Sequence, residues 1–110
     1  MMIYLASPYS HPDAAVRQQR FEQVCGVASV LMRNGSLIFS PIAHSHPIAL
    51  AGGLPLDFAY WEKFDRTILS VCHSLIVLKL LGWDESRGVA AEIQIMQESG
   101  KPISYLEYRA

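Results

Sequence analysis

A carboxylate follows a polar turn in the segment Gly82–Ile93, an arrangement suited to chemistry on a phosphorylated small molecule. An apolar run, Ser74–Leu81, precedes the turn and predicts a buried strand, and the pattern after it predicts a helix. The helix start near Ser86 would offer unpaired backbone N–H groups and a positive dipole end to an anion. Glu92 lies about a turn and a half further along. It is therefore either a nucleophile beside the bound molecule or a surface residue of an amphipathic helix.

Four further polar residues are candidates for the same site. Tyr4 lies in an apolar strand, where it either packs in the core or positions the Glu92 carboxylate. Asp65 interrupts the apolar face of a predicted helix and is either solvent-facing or a general acid. His44 and His46 share a face if their segment is extended, but no third metal ligand has a suitable spacing. We therefore expect these histidines to rim the pocket or to hydrogen-bond the loop, and we expect no metal and no other cofactor.

The elements that must position these residues alternate along the chain. The predicted strands are Met2–Ala6, Ser36–Ser40, Ser74–Leu81 and Pro102–Leu106, and the predicted helices begin near Pro12, Asp57 and Ser86. The second helix is expected to direct apolar residues to the core, namely Phe58, Trp61, Phe64, Ile68, Leu69 and Val71. Three prolines and a Gly-Gly pair predict that the stretch Pro41–Pro55 is irregular.

The order β-α-β-α-β-α-β predicts one α/β domain over residues 1–110, a doubly wound parallel sheet with helices on both faces. Ligands bind such sheets at the carboxyl ends of the strands. The loops after Ala6, Ser40 and Leu81 should therefore converge on one pocket.

Composition narrows the class of partner. The chain has 110 residues, 51% of them hydrophobic, a net charge of −1 and no basic run, which argues against nucleic-acid polymers and anionic membranes. No stretch reaches the roughly 18 apolar residues of a membrane span. Cys25 and Cys72 lie in apolar helical contexts and are expected to be buried free thiols in a reducing cytoplasm.

Four segments resemble the nucleoside 2-deoxyribosyltransferase superfamily, which includes 2′-deoxynucleoside 5′-phosphate N-hydrolases and cytidine monophosphate N-glycosidases. They are Ile3–Tyr9, the helical Asp65, Ser86–Glu92 and Gly100–Pro102. The resemblance extends over essentially the whole chain in element order, and the G-x-x-x-E turn within Ser86–Glu92 is its most specific motif. The chain looks like a divergent small member of bacterial or phage type.

The resemblance implies a flavodoxin-like, three-layer α/β/α domain that cleaves an N-glycosidic bond. It implies that Glu92 is the nucleophile on C1′, that Tyr4 is its hydrogen-bond partner and that Asp65 lies near the leaving base. It also implies that Ser86 contacts a 5′-phosphate. The first loop, Ser7–Ser10, departs from the phosphate hydrolases because it contains no arginine.

The predicted function is hydrolysis of the N-glycosidic bond of a (deoxy)nucleoside 5′-monophosphate. A carboxylate near C1′ stabilises the oxocarbenium-like transition state, and a second carboxyl group, on Asp65 or Asp84, can protonate the leaving base. We expect the substrate to contact Ser7, Ser86, Arg87, Gly88, Asp84, His44 and His46. The alternatives are transfer of the sugar to a second base, a non-catalytic nucleotide-binding module, and a metal-dependent hydrolase using the two histidines and Asp65.

We also expect copies of the chain to form an oligomer. Phe58, Tyr60, Trp61 and Phe64 fall on more than one face of a single helix, so one sheet cannot cover them all. Surplus apolar surface usually meets another subunit. The resemblance implies that the C-terminal segment of a neighbour, around residues 104–108, completes the pocket. We predict a homodimer or a homotetramer.

Overall fold

The structure, a computed structural model, describes residues 1–109. Its strands are β1 Met2–Ala6, β2 Leu37–Phe39, β3 Ser74–Lys79 and β4 Ile103–Glu107. Its helices are α1 Ala14–Arg33, α2 Pro41–Gly52, α3 Phe58–Val71 and α4 Arg87–Glu98, and a 3₁₀ turn at Trp83–Glu85 precedes α4.

The four strands form one parallel sheet in the order β2-β1-β3-β4. The chain moves from β1 to β2 on one side and then returns to place β3 on the other side of β1. This reversal makes the carboxyl ends of β1 and β3 the topological switch point, where open α/β sheets bind ligands. The predicted α/β class and the parallel sheet are confirmed.

Alternate strand residues supply two separate cores, one on each face of the sheet. Tyr4 and Ala6 of β1 pack in one cluster with Leu69 of α3 and Met96 of α4. Leu5, the residue between them in β1, packs on the other face in a cluster that includes residues of α1, among them Val24 and Ala28. Period-two alternation in strands covered on both faces produces this three-layer arrangement.

The prediction that residues 41–55 are irregular is wrong, because most of this stretch forms α2. Ser40 is the N-cap, and its Oγ accepts from the N–H of Ala43 at 3.1 Å. Pro41 occupies the first helical position, where a missing N–H costs nothing. Gly53 ends the helix with a φ of 65°. The observed order is therefore β-α-β-α-α-β-α-β.

Three expected burials also differ. Phe64 of α3 was predicted to face the core, but it is 38% exposed. Leu81 was predicted to end a strand, but β3 ends at Lys79 and Leu81 is 94% exposed. Val71 was predicted to face the core, yet it is 72% exposed because it is the last residue of α3. The next residue, Cys72, is buried as the chain turns into β3.

The structure also bears on the two cysteines and on the absence of a membrane span in the sequence. Both thiols are free, but only Cys72 is buried, whereas Cys25 is half-buried on α1. Across residues 1–109, no helix combines the length and the apolar character that crossing a membrane requires.

Candidate functional site

A cavity of about 710 Å³ lies at the carboxyl edge of the sheet. The loops after β1 and β3 line it, together with residues from the starts of α2, α3 and α4. The three segments after Ala6, Ser40 and Leu81 therefore converge as expected, but the segment after Ser40 is the start of α2 and not a loop. Seven of the predicted site residues line this cavity: Ser7, His46, Asp65, Ser86, Arg87, Gly88 and Glu92.

Glu92 lines the cavity and contacts Tyr4, which lies in the interior behind the cavity wall. Glu92 lies in the second turn of α4 and is only 4% exposed, and Tyr4 of β1 is fully buried. The Tyr4 hydroxyl donates a short hydrogen bond to Glu92 Oε2. Burial raises the pKa of Glu92 to about 8, against the effect of this hydrogen bond, which favours the ionised form. The pKa of Tyr4 is raised above its usual value, first by burial and then by the Glu92 charge, so Tyr4 stays a donor.

Asp65 brings a second carboxyl group to the same place. It lies on α3, is 5% exposed and lines the cavity, and its Oδ1 has no hydrogen-bond partner. Burial raises its pKa to about 7. Its charge also raises the pKa of Glu92. Because each negative charge opposes the other, the pair tends to keep one proton near neutral pH.

The start of α4 presents backbone donors to the cavity. Ser86 is the N-cap, and its Oγ accepts from the N–H of Val89 at 3.2 Å. The N–H groups of Arg87 and Gly88 belong to the first turn, which has no intrahelical acceptors. A Cβ on Gly88 would lie 3.2 Å from Cδ1 of Phe58, so a glycine here lets the two helix starts approach closely.

Arg20 is a cavity residue that the sequence reasoning missed. It lies on α1, and its guanidinium donates to the carbonyl oxygens of Ser10 and Leu81, both at 3.1 Å. It thereby ties the loop after β1 to the loop after β3. Gly82 leaves space for it, because a Cβ there would lie 2.9 Å from Arg20 Nη2. No local sequence motif marks Arg20 as a site residue. The only signal is indirect: the first loop contains no arginine, so a phosphate site would need an arginine from another element.

His46 belongs to a hydrogen-bonded chain at one side of the cavity. Its Nε2 lies 2.9 Å from Oε1 of Gln18, and its Nδ1 is in a short hydrogen bond with the Tyr9 hydroxyl. When Nε2–H donates to Gln18, Nδ1 accepts from Tyr9 and the ring is neutral. Burial, and then the charge of Arg17, lower the pKa of His46, which agrees with a neutral ring. The network fixes the Tyr9 hydroxyl at the cavity wall.

His44, Asp84 and Tyr4 do not line the cavity. His44 stacks on Phe64, with ring centroids 4.8 Å apart, and Asp84 is exposed in the 3₁₀ turn while its neighbour Glu85 lines the cavity. The reasoning about a histidine pair assumed an extended segment, but the helix α2 places His44 against Phe64 and His46 against Phe21. Within residues 1–109, no three His, Cys, Asp or Glu residues are grouped closely enough to hold a metal ion.

Fold and cavity together define a parallel α/β domain with two buried carboxyl groups at a ligand-sized cavity on the topological switch point. The chain matches the family described as "Domain of unknown function (DUF1937)" over residues 1–108, and it belongs to that family. No curated protein matches the chain significantly.

Proposed function

We propose that the protein hydrolyses the N-glycosidic bond of a nucleoside 5′-monophosphate, with Glu92 as the nucleophile. The observation that carries the proposal is the pairing of Glu92 and Asp65, two buried carboxyl groups with raised pKa values at one cavity. Burying two carboxyl groups costs free energy of folding, and ionisable groups with strongly shifted pKa values are concentrated at functional sites.

The arrangement supports a two-step reaction. Glu92, ionised and held by the Tyr4 hydroxyl, bonds to C1′ as the C1′–N bond breaks. Glu92 and Asp65 share one proton near neutral pH, and Glu92, which has the higher pKa, holds it more often. The reaction starts from the form in which Asp65 holds the proton and Glu92 is ionised, and the departing base takes this proton from Asp65. Asp65, now ionised, accepts a proton from a water molecule that attacks C1′ and releases Glu92. The reaction consumes one water and yields the free base and a sugar phosphate.

The donors around the cavity favour an anionic substrate. The N–H groups at the start of α4 and the side chains of Ser86 and Arg87 offer hydrogen bonds to a phosphate. Arg20 adds a second guanidinium and supplies the positive charge that the first loop lacks. These features support a 5′-monophosphate over the corresponding nucleoside.

Release of free base from a panel of nucleosides and their 5′-monophosphates tests the proposal. Parallel reactions with a chelator, and with a second base as acceptor, separate this reading from the metal-dependent and transferase alternatives. We expect base release that the chelator leaves unchanged and that does not require the acceptor. Glu92→Gln should lose at least about a thousandfold in rate.

Glu98→Gln is the matched control, because Glu98 lies on the same helix but is exposed. This variant should retain the parental rate. Base release from Glu92→Gln within about tenfold of the parent would contradict the nucleophile assignment.

A further inference from the structure

A chain of hydrogen-bonded side chains, Tyr9–His46–Gln18–Glu22, connects the cavity to the surface, and its outer end fixes its polarity. Glu22 is exposed on α1, and its Oε2 accepts from Gln18 Nε2 at 3.0 Å. A carboxylate can only accept, so the amide nitrogen of Gln18 faces Glu22 and the amide oxygen faces His46. Nε2 of His46 therefore carries the ring proton, and Nδ1 is left to accept.

This polarity decides what the Tyr9 hydroxyl offers to a ligand. Tyr9 and His46 both line the cavity, and Tyr9 donates its one O–H to Nδ1 of His46. Because that proton is engaged, the Tyr9 oxygen can only accept from a further partner. Burial raises the pKa of Tyr9 and Arg17 opposes this shift, but the Arg17 guanidinium donates to the carbonyl oxygen of His11 and lies outside the cavity lining. The wall at Tyr9 therefore suits a ligand group that carries a proton to donate.

The order of the strands places Tyr9 and His46 on one side of Glu92. β1 lies between β2 and β3 in the sheet, and Tyr4 of β1 contacts Glu92. The start of α4, proposed to hold the phosphate, follows β3 on one side, whereas α2, which carries His46, follows β2 on the other. In a nucleotide the sugar separates the phosphate from the base. A phosphate at α4 and C1′ at Glu92 therefore direct the base toward α2.

We propose that the Tyr9 oxygen accepts a hydrogen bond from an exocyclic amino group of the base, so that the cavity prefers an amino base to its keto counterpart; this inference rests on the proposed function. Cytosine and adenine carry an amino donor at the position where uracil and hypoxanthine carry a carbonyl oxygen. A carbonyl oxygen would face the Tyr9 oxygen with no proton between them, which leaves both atoms unpaired.

Binding of matched nucleotide pairs to the Glu92→Gln protein tests the inference, because this substitution leaves the ligands uncleaved. The pairs are the 5′-monophosphates of cytidine and uridine, and those of adenosine and inosine. By calorimetry, the pair that binds more tightly should show a preference of about tenfold for its amino member. Adding Tyr9→Phe should bring this ratio close to one, mainly by weakening the amino nucleotide. Tyr60→Phe is the matched control, since Tyr60 is half-exposed on α3 and lies outside the cavity lining.

Reversing the polarity of the network gives a test that mere loss of a contact cannot mimic. Gln18→Lys, at an exposed position, would present an ammonium donor to Nε2 of His46. Nδ1–H would then donate to Tyr9, and the Tyr9 O–H would turn toward the ligand. The preference should shift toward the keto member of the pair. An unchanged preference in this variant would contradict the assigned polarity.

The outcomes separate the two proposals. Equal binding of the two members, tighter binding of the keto member, no binding of any of the four nucleotides, or a ratio that Tyr9→Phe leaves unchanged would overturn the inference. An amino preference without base release by the parent would support the inference and contradict the proposed hydrolysis, whereas equal kcat/KM on both members would do the reverse. The parent supplies the same comparison, through binding if it does not cleave and through kcat/KM if it does, so a variant that fails to fold cannot hide the result.

Discussion

Glu92 and Asp65 are carboxyl groups that folding moves from water into the wall of a cavity, and their pKa values rise mainly for that reason. The sequence reasoning selected both residues and paired Glu92 with Tyr4, and the structure brings the three together. Their degree of burial could not be read from the chain, because it depends on how α3 and α4 pack against β1. The burial of Glu92 excludes the alternative that it is a surface residue of an amphipathic helix.

The burial of Glu92 predicts that stability depends on pH. Its pKa rises from 4.5 in the unfolded chain to about 8, so folding favours the neutral acid. The contribution of the neutral Glu92 carboxyl group to the free energy of unfolding is therefore complete below about pH 4.5 and is lost as the pH rises through 8. Glu92→Gln, which stays neutral, should be more stable than the parent at pH 9 by about 1 to 3 kcal/mol, and the difference should shrink at pH 5.

Urea denaturation at both pH values measures this difference. The exposed Glu98→Gln should follow the parent at each pH. A difference between Glu92→Gln and the parent that is the same at pH 5 and pH 9 would contradict the assigned ionisation.

Substitution of Arg20 tests whether this residue makes the protein prefer a 5′-monophosphate to the corresponding nucleoside. If it contacts the phosphate, Arg20→Gln should lower kcat/KM for the 5′-monophosphate by about 10- to 100-fold and leave the nucleoside nearly unchanged. Arg20→Lys should restore part of the loss, because it keeps the charge without the two-pronged geometry. Arg33→Gln, at the last turn of the same helix, is the control. An equal loss on both substrates would show that Arg20 only holds the two loops together.

At the scale of elements, strands and amphipathic helices were predictable, whereas α2 was not. α1, α3 and α4 begin within about two residues of the predicted positions, because caps and helical spacing mark them. α2 has prolines at both its first position and its interior, and two glycines at its end. These residues usually indicate loops. Only tertiary packing, with Ser45, His46 and Ala49 buried, shows that the helix forms.

The two prolines of α2 should respond differently to substitution. Pro47 lies inside the helix and is exposed, and it removes one backbone hydrogen bond. Pro47→Ala should raise stability by about 1 kcal/mol, or about 4–8 °C in Tm. Pro41→Ala should lower stability, because Pro41 is buried and suits the first helical position. Calorimetric Tm values of the two variants check the prediction, and a lower Tm for Pro47→Ala would contradict it.

At the scale of the whole molecule, the prediction of a homodimer or homotetramer stands open to test. Tyr60 and Phe64 of α3 are 50% and 38% exposed, and Ile48 and Leu50 of α2 are 44% and 59% exposed. Exposed apolar side chains in this number favour contact with another subunit. Light scattering at micromolar concentration should give twice or four times the mass of one chain. A monomer mass together with full activity would contradict the prediction.

The hydrogen bond between Tyr4 and Glu92 joins residues 88 positions apart, and it has a consequence for how the chain folds. The central strand β1 pairs with β3 across some 70 residues of intervening chain. Closing such long loops costs entropy before any contact repays it, so folding should be slow for a chain of this size. The two catalytic candidates cannot meet until most of the chain has collapsed around them. Recovery of activity should therefore report on completed folding, and a partly folded intermediate should have no activity.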